Sequence, residues 1–134
     1  MPVLFTDREL DIMAVLWDRG SSTVAEVRAR LKDVLNHNTV ATMLTILETK
    51  GYVTHSEDGR AFRYHPTVGR EEAGRSALGR LVEKVFAGSS AALVTQFVDD
   101  RRLSRAELER IRTLLDARLG PVPRRARPKK GGTR

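Results

Sequence analysis

Between Asn38 and Gly51 the chain reads NTVATMLTILETKG, and its polar residues there recur at helical spacing. At about 100° per residue, Val40, Met43, Leu44, Leu47 and Gly51 form one apolar stripe. Asn38, Thr39, Thr42, Thr45 and Thr49 take the opposite side, with Ile46 at its flank. A solvated helix face is ordinarily filled by Lys, Glu, Gln or Arg, which lose little rotamer freedom there; β-branched Thr is a poorer helix former. In a chain that is 31% charged, this uncharged surface needs another cause. Contact with the DNA major groove supplies one. Short side chains let the backbone approach base edges, a Thr hydroxyl bonds a phosphate or a base, and its methyl packs on the thymine methyl. Any single threonine could equally face water or another part of the protein. Four together, on the third helix before a hairpin, point to DNA.

Other reactive groups are few. The histidines are His37, His55 and His65; the last two fall on opposite strands of the hairpin, but no carboxylate or thiolate set completes a metal site, and they read as polar wing residues. Cysteine is absent, which excludes disulfides, thiolate metal sites and thiol catalysis. No nucleophile–base pair, phosphate loop or carboxylate pair is in evidence, so neither an enzyme nor a cofactor is expected. Arg60 and Arg63, on the turn and second strand of the wing, suit phosphate or minor-groove contact, with simple solvation as the alternative. Trp17 with Leu10 and Met13 reads as core.

The elements that position these groups are marked by their starts and stops. Thr6-Asp7-Arg8-Glu9 is a capping box; it opens a helix with Leu10, Met13, Ala14 and Trp17 on one stripe, ending near Gly20. Thr23-Val24-Ala25-Glu26 opens a second, shorter helix bearing Val24, Val27 and Leu31. The threonine-faced helix follows, with Asn38 as its expected N-cap and Gly51 closing it. Tyr52–Ser56 and Ala61–His65 then read as strands around an Asp58-Gly59 hairpin signal. Pro66 to Gly69 reads as a hinge. Beyond it come a long helix from Arg70 to Gly88, an apolar segment Ser89–Asp100, and a last helix opened by Ser104-Arg105-Ala106-Glu107. The fold class expected is mainly α: a winged helix-turn-helix (three helices plus a β-hairpin wing) followed by a C-terminal helical dimerisation region.

Residues 1–66 are thus read as the DNA-binding domain, 67–119 as the dimerisation domain and 120–134 as a disordered basic tail. The middle segment has about fifty residues and no sheet, too little to bury its own apolar stripes. A second copy would cover Leu78, Leu81, Val82, Val85, Phe86, Leu93, Phe97, Leu108, Ile111 and Leu115. The formal charge of +7 sits almost wholly in the tail, GPVPRRARPKKGGTR, which holds six basic and no acidic side chains. Residues 1–66 hold eight basic against nine acidic, and 67–119 ten against eight. The tail favours a nucleic-acid partner without locating the site. No apolar run approaches a membrane span and the N-terminus has no signal-peptide pattern, so no membrane insertion and a cytoplasmic location are expected.

The blocks LDIMAVLW, STVAEVRARL, TVATMLTILETKGYV, GRAFRYHPTVGREE and LVTQFVDDRRLSRAELERIRTLLD, in that order, resemble the BlaI/MecI family of penicillinase-type repressors from about Thr6 to Asp116. That resemblance implies a homodimeric repressor whose winged helices read a palindrome in double-stranded DNA. It also implies a membrane-bound sensor protease that relieves repression by having the repressor cleaved. Thr39 and Thr42 match the family's paired recognition threonines, Ile46 stands where relatives often have Arg, and Gln96-Phe97 matches the family's cleaved Asn-Phe bond in its second residue. Two other classes remain: a small-molecule-sensing regulator, for which no aromatic or polar cluster marks a pocket, and a protein-interaction winged helix that binds no DNA.

Overall fold

Thr6, Thr23 and Ser104 each accept the backbone N–H of the glutamate three residues on, and each glutamate carboxylate accepts the cap residue's own N–H. Those reciprocal bonds satisfy donors that a helix start leaves open, and they fix where three helices begin. The computed structural model describes residues 3–121. In chain order the elements are α1 (Asp7–Arg19), β1 (Ser22–Thr23), α2 (Val24–Arg30), α3 (His37–Thr49), β2 (Val53–Asp58), β3 (Ala61–Pro66), α4 (Arg70–Lys84), α5 (Ser90–Asp100) and α6 (Arg105–Leu119). The chain divides into two units at Gly88 and Ser89.

The first unit is a helical triad backed by a small antiparallel sheet of order β1-β3-β2. Its core joins Ile12, Met13 and Leu16 of α1, Val27 of α2, Val40, Leu44 and Leu47 of α3, and Val53 and Tyr64 of the sheet. On α3 the expected stripe is buried at Val40, Leu44 and Leu47 and partly buried at Met43, while Gly51 lies beyond the helix and is exposed. On α1 it is rotated: Ile12 and Leu16 are fully buried, whereas Leu10 is 39% exposed and is not core. α1 packs at once on α2, α3 and β3, so its buried arc centres on Ile12, Met13 and Leu16. Trp17 packs at the margin, its indole N–H donating to the Val68 carbonyl at 2.8 Å and Phe5 meeting it edge-on.

The wing extends further than expected. Val53 pairs with Pro66 and the register runs to Asp58 opposite Ala61, leaving Gly59 and Arg60 as a two-residue turn. Gly59 has φ 64° and Arg60 does not have positive φ, the II′ arrangement whose twist suits paired strands. Tyr52 lies just outside the strand, its ring tilted against Phe5 with centroids 4.6 Å apart. β1 has only two residues, too short to show any alternation, and its pairing with Tyr64 and Arg63 was not legible in the sequence. Pro66–Gly69 is not a free hinge. Thr67 donates its N–H to Tyr52 and its hydroxyl to Gly51 at 2.9 and 2.6 Å, and Val68 is buried.

α4 stops at Lys84 rather than continuing to Gly88, because Ala87 (φ 51°) and Gly88 (φ 84°) turn the chain through the left-handed region. Its first half belongs to the first unit: Ala73 is buried, Ser76 bonds Val3, and Arg70 lies over the Trp17 ring while pairing with Asp18 at 2.7 Å.

The second unit contains α5 and α6, and neither helix buries a residue. Leu93 and Ile111 are half-buried; Val94, Phe97, Leu108 and Leu115 lie between 41% and 55% exposed. Two helices cannot enclose their own apolar faces. The tail beyond 121 lies outside the described residues.

Glu9, only 4% exposed, does more than cap α1. Burial pushes its carboxyl up, but Lys50 at 2.8 Å and the Thr6 N–H outweigh that and hold it below the usual glutamate value of 4.5. A depressed folded-state value means stability present above pH ~4.5 and lost as pH falls through the folded value. Glu9→Gln should therefore be less stable than the parent at pH 7, and the variant should lose less stability than the parent between about pH 5 and 3. Urea denaturation at both pH values checks this; parallel losses would contradict it.

Candidate nucleic-acid interface

α3 is held at both ends, and the hold is what makes one of its faces available. At its start the cap is Asn36, not Asn38: the Asn36 side chain accepts the Thr39 N–H at 2.8 Å. Of two asparagines flanking His37, the earlier has the extended backbone a cap requires (φ −78°, ψ 164°). Such a cap contributes about 1 kcal/mol. Asn38 then falls within the first turn, its side chain exposed. Arg28 of α2 donates to the Leu35 carbonyl at 2.6 Å, fastening the turn that leads into the helix. At the far end Glu48 receives His55 of β2 at 2.7 Å, and Lys50 reaches Glu9 of α1. His55 also packs against Phe62 at 4.3 Å.

Asn38, Thr39, Thr42, Thr45 and Thr49 are all exposed on the side opposite Val40, Leu44 and Leu47. The structure therefore brings the five expected α3 residues onto one open face. Their hydroxyls differ. Thr45 donates to the Ala41 carbonyl and Thr49 to the Thr45 carbonyl, each at 3.0 Å. Thr39 and Thr42 make no side-chain hydrogen bond among those of the described residues. Tyr64, beneath the C-terminal half of α3, is 4% exposed; burial and then the charge of Glu48 raise its phenol above its ordinary value of 10, against a small opposing contribution from the Thr45 hydroxyl.

The two wing arginines separate. Arg60, in the turn, is exposed and absent from the ion pairs of the described residues. Arg63 is engaged inward: its Nη1 donates to the Ser21 carbonyl at 3.0 Å and to Glu26 at 3.1 Å, and its Nε to Asp58 at 2.9 Å. Asp58 and then Glu26 hold the guanidinium above its ordinary value, while the Thr23 N–H and then Arg63 hold Glu26 below its own. Because Glu26 also closes the α2 capping box, Arg63 ties the wing to the start of α2. His55 and His65 point to opposite faces of the hairpin, since their directly paired partners are Tyr64 and Thr54; His65 bonds Ser56. Among the described residues no group of three or more His, Asp or Glu is placed to hold a metal.

Sequence reasoning missed Asn36, Glu9, Arg28, Glu48 and Lys50 as the groups that orient α3. One signal was present: Glu48 and Lys50 are isolated charges at the end of an otherwise uncharged stretch.

A three-helix core with a hairpin wing, and a third helix held so that an uncharged polar face is open, defines a winged helix-turn-helix protein. A model of the penicillinase repressor family matches residues 5–117. The chain belongs to that family. It is 26% identical over 111 residues to the methicillin resistance regulatory protein MecI of Staphylococcus aureus (strain N315), covering 81% of this chain and 89% of that one. It is likewise 26% identical over 113 residues to the penicillinase repressor of Bacillus licheniformis, covering 83% and 88%. The solution structure of the DNA-binding domain of the repressor BlaI is similar at 32% identity, with 54% of this chain and 93% of that chain covered and a TM-score of 0.48.

Proposed function

We propose that this protein is a cytoplasmic, sequence-specific DNA-binding repressor that acts as a homodimer on a palindromic operator in double-stranded DNA. The observation that carries the reading is the α3 face, where Asn38, Thr39, Thr42, Thr45 and Thr49 stand exposed with no charged side chain among them. Arg60 at the wing tip adds a phosphate contact; Arg63 serves by holding the wing. The relatives named as repressors support the regulatory role. Residues 67–119 form the dimer, supported by the concentration of exposed large apolar side chains from Leu78 to Leu119. The tail, 120–134, adds sequence-independent affinity.

Release is proposed to follow cleavage at Gln96-Phe97 by a membrane sensor protease or an enzyme it activates. That bond lies inside α5, so cutting requires local opening, and it would detach α6 from the rest of the chain. A second reading, release by a small molecule, is supported by a groove of about 310 Å3 whose lining includes Leu4, Phe5, Leu10, Ala77 and Arg80.

The test is equilibrium binding of the full-length protein to the DNA upstream of its own coding sequence and to random DNA of equal length, at two salt concentrations. A preference for the upstream fragment that persists at the higher salt is expected; equal binding to both would overturn the proposal. Following the intact chain by mass during derepression separates the two modes of release.

A further inference from the structure

We infer that α3 reads its DNA largely through methyl groups, so that the bases it selects are A·T pairs whose thymine 5-methyl packs against Ile46 and the threonine methyls. The inference rests on the DNA-binding function proposed above and specifies the chemistry of that same site. Three observations converge on it.

The first is what α3 lacks. Lys or Arg bridging O6 and N7 of guanine is the commonest specific contact in the major groove. From His37 to Thr49 there is neither. The charged side chains of α3 and its C-cap, Glu48 and Lys50, are engaged with His55 and Glu9. Arg63, the basic side chain of β3, is turned toward α2.

The second is the state of the hydroxyls. Thr45 and Thr49 have committed their O–H donors to the Ala41 and Thr45 carbonyls at 3.0 Å. What they can offer a base edge is a methyl group and an acceptor oxygen, not a donor. The polar readers left are the Thr39 and Thr42 hydroxyls and the Asn38 amide. An asparagine amide matches adenine N6 and N7, the partner base of thymine.

The third is Ile46. The core stripe of α3 is complete without it, since Val40, Leu44 and Leu47 are fully buried while Ile46 remains 43% exposed. It lies seven residues from Thr39 and four from Thr42, so all three share one edge of the face. An exposed β-branched aliphatic gains by burial against an apolar group, and the thymine methyl is the apolar group that a major groove presents. Asn38 on adenine and Ile46 on thymine then select the same base pairs.

The experiment uses the full-length protein and the upstream segment that it protects in footprinting. The segment is synthesised with thymidine, with 2′-deoxyuridine at the thymines of the protected half-sites, and with 2′-deoxyuridine at flanking thymines only. Uracil pairs as thymine does and lacks only the 5-methyl. Each contacted methyl removed should weaken binding about fourfold, compounding across two half-sites, and the flanking replacements should have no effect. Ile46→Ala, shown to melt like the parent, should bind the thymidine duplex more weakly and lose part of the penalty for uracil. Unchanged affinity for the half-site uracil duplex, or protected half-sites composed of G·C pairs, would overturn the methyl reading while leaving DNA binding intact. Absence of any preferred segment would overturn the proposed function and this inference together.

Discussion

Leu115→Asp is expected to convert the proposed dimer to a monomer and to weaken operator binding by about 10²–10⁴-fold, the avidity that linking two half-site binders supplies. Leu115 is 55% exposed on α6, so its replacement removes little packing within the chain itself. In a two-fold interface the substitution counts twice, and each buried Leu forgoes about 1.5–3 kcal/mol while each Asp must be desolvated without a partner. The two leucines alone amount to about 3–6 kcal/mol, a hundredfold or more in the dissociation constant of the proposed dimer. Sedimentation equilibrium at micromolar concentration, with a titration of operator DNA, reads both consequences. A variant that stays dimeric, or a monomer that binds as tightly as the parent, would contradict the dimer proposed for residues 67–119. Asp at Val34, which is 93% exposed on the first unit, is the matched control and should leave the oligomeric state unchanged.

Thr39→Ala and Thr42→Ala form the second large effect. Each is expected to weaken specific binding by about 1–3 kcal/mol, roughly 5–150-fold, if its hydroxyl meets a base or phosphate. Both side chains are exposed and their hydroxyls are not used within the described residues, so fold stability should hold or rise slightly, Ala being the better helix former. The split between binding and stability is the diagnostic. Binding by both variants equal to the parent's would remove α3 from the interface; a fall in melting temperature equal to the fall in binding would make the threonines structural instead.

What the sequence disclosed was local. Capping boxes at Thr6, Thr23 and Ser104, the buried Val40, Leu44 and Leu47 of α3 and a hairpin at Asp58-Gly59 are each written within a few neighbouring residues, and each stands in the structure, the turn itself falling one residue later at Gly59-Arg60. What it hid depends on distant parts of the chain meeting. β1 exists only because Ser22 and Thr23 lie along β3, forty residues away. Arg63 reads in the sequence as a phosphate contact or a solvated side chain, and its bonds to Asp58, Glu26 and Ser21 are visible only in the fold. The α1 stripe was misread around Leu10 because helical periodicity gives a face but not how many neighbours surround it. Asn36 and Asn38 are both good caps, and the backbone at Asn36, not residue type, decides between them. Glu9 shows the same limit: its place in a capping box was visible, its second partner Lys50 was not.

Hydroxyl-radical footprinting of the full-length protein on its own upstream DNA bears most directly on whether two α3 helices read one operator. A two-fold dimer with α3 in successive major grooves should protect two similar segments on one face of the duplex, about 34 Å apart, with inverted sequence. The protection should fall to background when Thr39 and Thr42 are both alanine. A single protected segment, protection on both faces without periodicity, or a pattern indifferent to the two threonines would contradict it.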